Sequence, residues 1–202
     1  MKLIIFDISG ILVPEASDNI IYPEVAKFMG ISVEEFTEAA KNLKPSVTEG
    51  FLTLKDMYAK IIAKLKLKTT AEKALEKHKE LFIKYGTKKD EEIITLIEKL
   101  KINYEVVCLT NAEKEMAESN TEQGLYVYFE KAFISCDMNM RKPQPALYKK
   151  VLEECNCSAE EALFIDDNEE YTGGAVEAGL NVILFHNKKQ LMKDLETLEI
   201  LF

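Results

Sequence analysis

Leu3-Ile4-Ile5-Phe6-Asp7-Ile8-Ser9-Gly10 sets four consecutive apolar residues directly before an aspartate and a glycine-containing turn. The run is continuous rather than alternating, which is what a strand covered on both faces requires, and such strands belong to parallel sheets. Similar runs recur at Val106–Leu109, Ala132–Ile134, Ala162–Ile165 and Val182–Phe185. Helical spacing fills the gaps before the later ones. Ile93, Ile94, Leu96, Ile97 and Leu100 precede the second run, Leu147, Tyr148, Val151 and Leu152 the fourth, and Ala175 to Ala178 the fifth. Strands alternating with helices read as βαβ units of an open α/β sheet.

Ahead of the helix that leads into the second strand lie roughly seventy residues beyond the crossover of about a dozen that would suffice, so something is inserted there. Phe36, Ala39, Ala40 and Leu43 follow helical spacing, as do Leu54, Met57, Tyr58, Ile61, Ile62 and Leu65, and then Leu75, His78, Leu81, Phe82 and Tyr85. Ser32 with Glu35 and Thr69 with Glu72 have the spacing of capping boxes, and Pro45 and the Gly50 region break the run. The insert reads as a small helical bundle. Its Lys-rich segment, Lys60–Lys89, sets charge opposite the apolar stripe as ordinary solvated surface. His78 on that stripe reads as a packed core histidine.

Asp and Glu outnumber Lys and Arg by 35 to 26, and a net charge of -9 disfavours nucleic acid and anionic membrane as partners. No apolar run approaches the ~20 residues of a membrane helix, and no signal-peptide pattern opens the chain. A cytoplasmic location is the expectation. Cys108, Cys136, Cys155 and Cys157 are scattered and read as free thiols of a reducing compartment.

Ligands of open α/β sheets bind beyond the carboxyl ends of the strands. The first strand ends in Asp7, the second in Thr110-Asn111 and the fourth in Asp166-Asp167, while Lys142 lies in a loop after the third. Carboxylates crowded on one edge need a cation, and an all-oxygen donor set selects a hard one such as Mg²⁺, which shares its shell with water and a substrate phosphate. With metal and Lys142 cancelling charge, Asp7 can approach phosphorus as a nucleophile. The bland alternatives are helix capping for Thr110 and Asn111, an acidic turn at a helix N-terminus for Asp166-Asp167, and an exposed loop lysine for Lys142. Arg141, the chain's one arginine, reads as surface, and Gly173, Gly174 and Gly179 read as close helix packing and a C-cap rather than a phosphate cradle.

Phe-Asp-Ile-Ser-Gly-Ile-Leu at 6–12, Val-Val-Cys-Leu-Thr-Asn at 106–111, Arg-Lys-Pro-Gln-Pro at 141–145 and Phe-Ile-Asp-Asp-Asn at 164–168 together resemble, in order, the four motifs of the haloacid dehalogenase-like hydrolases. The resemblance implies a doubly wound, Rossmann-like parallel core of residues 1–13 and 88–202, with an α-helical cap of the first type at 14–87. It is strongest to the branch containing sugar-phosphate phosphatases. It implies a Mg²⁺-dependent phosphatase of a small phosphorylated metabolite, with Asp7 forming an aspartyl-phosphate, Thr110 and Asn111 binding and orienting the phosphate, and Lys142 steadying both. Asp7, the backbone carbonyl of Ser9, Asp166 and Asp167 would hold the metal.

Two positions depart from the pattern. Most phosphatases of this family carry a second aspartate as general acid and base where this chain has Ser9, and losing such help typically costs about 10²–10⁴-fold. Tyr171 stands where the branch usually has asparagine. Two other readings therefore stay open: a phosphate- and metal-binding regulatory protein with little turnover, and a 2-haloacid dehalogenase, against which the retained Asp166-Asp167 pair argues.

Overall fold

The computed structural model describes residues 1–13, 18–86 and 88–202, the side chains of 18 and 19 excepted. Strands β1 (Leu3–Phe6), β2 (Glu105–Thr110), β3 (Ala132–Ile134), β4 (Ala162–Asp166) and β5 (Asn181–Leu184) form one sheet in the order β3-β2-β1-β4-β5. All four pairings are parallel, and Phe6 lies in register between Cys108 of β2 and Ile165 of β4. The chain moves outward from β1 through β2 to β3 and then crosses back to β4 on the other side of β1. That reversal opens a crevice at the carboxyl ends of β1 and β4.

The continuous apolar runs are explained by two cores, one on each face. Ile4 and Phe6 of β1, Val106 and Cys108 of β2, and Leu163 and Ile165 of β4 pack with helices α6 (Glu91–Leu100) and α11 (Lys188–Thr197). Leu3, Ile5, Val107, Leu109, Ala162 and Phe164 point the other way, against α9 (Pro145–Glu154) and α10 (Glu169–Glu177). Alternation of period two is thus present, with both phases apolar. The edge strands depart from this, since Ala132 and Asn181 are exposed where the sheet ends.

Helices α1 (Asp18–Met29), α2 (Val33–Ala40), α3 (Lys44–Thr48), α4 (Leu54–Leu65) and α5 (Ala71–Gly86) gather around a separate core that includes Val25, Phe36, Met57, Tyr58, Ile61 and Ala74. Ser32 and Glu35 make the expected capping box of α2. An equivalent box at Thr53 and Asp56 opens α4 and was not read in the sequence. The expectation at Thr69 is corrected: Thr70 accepts from the Lys73 amide at 3.4 Å, because the helix begins one residue later. Pro45 sits in the first turn of α3, where its missing N–H costs nothing, and Gly50 at φ 80° ends that segment. The cap limits expected at 13/14 and 87/88 fall against residues 14–17 and 87, outside the described residues.

The bundle is held to the sheet by polar contacts. Ser135, in the short helix α8 (Ser135–Met138), donates to the Thr48 carbonyl at 2.7 Å, and Gln144 donates to Glu49 at 2.7 Å. The Leu54 and Lys55 amides at the start of α4 donate to the Glu115 carboxylate of α7 (Lys114–Glu122) at 3.2 and 3.3 Å, placing a negative charge at a helix N-terminus. Among the described residues no helix is long and apolar enough to cross a membrane.

Candidate active site

Asp7 follows β1 directly, its amide donating to the Ile165 carbonyl at 2.9 Å, and Asp166 is the last residue of the adjacent β4. Parallel pairing therefore delivers both carboxylates to one edge. Between them lies Lys142, with Nζ 2.8 Å from Asp7 Oδ1 and 2.6 Å from Asp166 Oδ2. The lysine is fully buried, Asp166 equally so, and Asp7 is 5% exposed. The exposed-loop alternative for Lys142 is excluded by this burial.

Several devices hold the lysine. The Lys142 amide donates to Asn111 Oδ1 at 2.9 Å, and Asn111 Nδ2 donates back to the Lys142 carbonyl at 3.1 Å. Asn111, expected to orient phosphate, is placed with both amide atoms on the lysine's own backbone. The Lys142-Pro143 bond is cis. Gly174 in α10 lets that turn approach, because a Cβ there would stand 2.1 Å from the Pro143 carbonyl oxygen. The ammonium lies 4.8 Å from the Tyr171 ring centroid and 5.6 Å from that of Phe164. Tyr171 is in turn fixed by its carbonyl, which accepts from the Tyr148 hydroxyl at 2.7 Å. The substituted Tyr171 thus forms a wall of the lysine site, a role with no signature in the sequence.

Asp166 Oδ1 accepts from the Asn168 amide at 2.8 Å, and Asn168 caps α10 by accepting from Glu170 and Tyr171 amides. The acidic-turn reading and the site reading coexist here. Asp167 is exposed and pressed close to Gly10, whose φ of 79° and lack of a side chain leave room for it; a Cβ would meet Asp167 Oδ2 at 2.0 Å. Oxygens of Asp7, Asp166 and Asp167 lie within 4.8 Å of one another. This all-oxygen set, short of cationic charge, fits a hard divalent cation.

The charge balance shows in the proton affinities. Burial, reinforced by the Asp166 charge and opposed by Lys142, pushes the Asp7 carboxyl up to about 7. Burial and Asp166 likewise raise Asp167. Burial alone would lower the Lys142 ammonium, but Asp7 and Asp166 outweigh it and the lysine is raised. One ammonium cannot neutralise two buried carboxylates, so the site carries surplus negative charge.

Above this floor, between sheet and bundle, lies a cavity of about 1010 Å³. Asp7, Ser9, Thr110, Asn111, Lys142 and Asp167 line its sheet side. Arg141, read as surface, also lines it; its Nη1 donates to the Lys142 carbonyl at 3.3 Å and its Nε lies 3.5 Å from Glu49. Nothing in the Arg-Lys-Pro sequence marks that placement, which depends on where Glu49 of the bundle docks.

Comparison with known proteins agrees with this architecture. A predicted haloacid dehalogenase-like hydrolase from Porphyromonas gingivalis superposes with a TM-score of 0.79 at 18% identity, covering 98% of each chain. A family enzyme from Bacteroides thetaiotaomicron, solved with magnesium and inorganic phosphate, gives a TM-score of 0.71 at 19% identity over 95% of this chain and 98% of that one. A 2-haloacid dehalogenase from Pseudomonas syringae pv. Tomato gives 0.66 at 20% identity over 92% and 86%. In sequence, drimenol cyclase from Aspergillus calidoustus is 33% identical over 70 residues, 35% of this chain and 13% of the cyclase, so the match spans a small part of that protein. The family model for haloacid dehalogenase-like hydrolases matches residues 1–179, and the chain belongs to that family of hydrolases.

Proposed function

We propose that this hydrolase cleaves a small phosphomonoester with the help of Mg²⁺, residues 1–13 and 88–202 forming the catalytic core and 14–87 the cap. The observation that carries the reading is the buried Lys142 ammonium bridging Asp7 and Asp166 on the floor of the cavity. Asp7, Asp166, Asp167 and the Ser9 carbonyl would hold the metal, which when bound supplies the positive charge that lets a phosphate dianion lie beside carboxylates. Asp7 forms a bond from its free carboxylate oxygen to phosphorus as the bond from phosphorus to the leaving oxygen breaks, and the electron pair departs with that oxygen. Thr110 binds the phosphoryl oxygens, and Lys142 orients Asp7. Water then attacks phosphorus, restoring the Asp7 carboxylate and releasing inorganic phosphate. The free thiols of all four cysteines are in keeping with a cytoplasmic setting.

The test is phosphate release from a panel of phosphomonoesters with Mg²⁺ or with chelator, with Asp7→Asn as control. Metal-dependent release abolished in Asp7→Asn is expected. Absence of release across the panel, with Mg²⁺ and phosphate still raising the melting temperature, would favour the second reading, a phosphate-binding regulator, which Ser9 at the acid–base position supports.

A further inference from the structure

The bundle side of the cavity carries an apolar and aromatic patch. Ile21, Tyr22, Phe36, Ala40 and Phe82 line it. Tyr22 belongs to a closed set of four rings. Its centroid is 5.2 Å from Phe36 and 5.7 Å from His78, and Tyr58 completes the circuit at 6.3 Å from Phe36 and 6.1 Å from His78. Tyr58 and His78 share a 2.6 Å hydrogen bond and are buried with Phe36, while Tyr22 and Phe82 are half-buried at the cavity. Tyr22 is therefore packed in place by its neighbouring rings. Tyr22, Phe36 and Phe82 give this wall three rings, which a flat ring matches in shape and in quadrupole, and Thr37 and Thr48 line it beside them.

Ser9 points to the same class from the chemistry. A leaving oxygen without a proton donor must depart as an anion. Phenols ionise at about 10, as tyrosine does, whereas alkyl alcohols resemble water at about 15.7. A phenolate can leave unaided and take its proton from solvent water afterwards.

We propose that the substrate is an aryl phosphate, its ring stacked on the Tyr22 platform and its ester oxygen leaving as a phenolate. This rests on the phosphatase reading above. Lys41 and Lys44 also line the bundle side, Lys44 with Nζ 4.9 Å from the Tyr22 centroid, so a ring bearing an anionic substituent fits too.

The experiment compares phenyl phosphate, propyl phosphate and acetyl phosphate on the Mg²⁺-loaded protein. Acetyl phosphate supplies a good leaving group with no ring. The expected kcat/KM for phenyl phosphate exceeds that for propyl phosphate by about 10²-fold or more, the ratio narrowing in Ser9→Asp. Tyr22→Leu is expected to weaken the KM preference for phenyl over acetyl phosphate by about 5-fold, with Tyr22→Phe restoring it. Phe82→Leu serves the same purpose should Tyr22→Leu fail to fold. Equal kcat/KM for phenyl and propyl phosphate, or a Tyr22→Leu effect of equal size on both KM values, overturns the inference while leaving the phosphatase reading intact. No release from acetyl phosphate or from any ester overturns both.

Discussion

Replacing Lys142 by methionine keeps most of the side-chain volume and removes the charge. The ammonium is fully buried and contacts Asp7 and Asp166 at 2.8 and 2.6 Å, so its loss leaves two buried carboxylates facing each other without a cation. Breaking a buried ion pair in this way costs about 3–5 kcal/mol. At about 2–4 °C per kcal/mol for a chain of this size, the melting temperature falls by about 6–20 °C. The loss should be largest near pH 8 and shrink toward pH 5, where the carboxylates take up protons. Urea titration of the Mg²⁺-free protein across that range reads it directly, and Lys142→Met combined with Asp7→Asn should recover part of the loss. A Lys142→Met variant within about 1 kcal/mol of the parent at pH 8, or one whose deficit does not change with pH, would refute the view that this lysine is a structural counter-ion.

Asp7 yields a second expectation for the metal-free protein. Its carboxyl is raised to about 7 in the folded state by burial and by Asp166, so the folded form holds more protons than the unfolded form between the ordinary value of 3.8 and about 7. Its contribution to stability therefore declines as pH rises through that window and is flat above it; Asp7→Asn should remove this slope in denaturation curves. Gly174→Ala places a Cβ 2.1 Å from the Pro143 carbonyl oxygen and should destabilise by about 1–3 kcal/mol while lowering phosphate release. Gly173→Ala, with nothing within 4 Å of its Cβ, should instead be neutral or stabilise by up to about 1 kcal/mol. Tyr58→Phe removes the 2.6 Å hydrogen bond to the buried His78 and should cost about 1–3 kcal/mol by thermal melting.

Much of this protein was legible in its residues alone. The central strands were recognisable because a strand buried on both faces must be apolar at every position, as Leu3–Phe6 is, and that demand is local; the edge strands showed as short apolar runs. Asp7, Thr110 and Asp166 could be picked out because ligands gather where parallel strands end, a rule that needs only the strand limits. Of the inserted helices α2, α4 and α5 showed through their spacing, and the Ser32 box through its four-residue signature, whereas α1 did not and the short α3 lies where Pro45 and Gly50 read as a break. Other features belong to the tertiary structure. Lys142 stands out among many lysines through its Arg-Lys-Pro-Gln-Pro context, but its burial between Asp7 and Asp166 depends on the approach of Gly174 to Pro143 and on the Asn111 latch. The same holds for Tyr171 against the ammonium, Arg141 beside Glu49, and the ring circuit of Tyr22, Phe36, Tyr58 and His78, all assembled from segments distant in the chain. Local patterns record what a residue needs from its own strand or helix; which partner it meets across the fold is settled by how those elements pack.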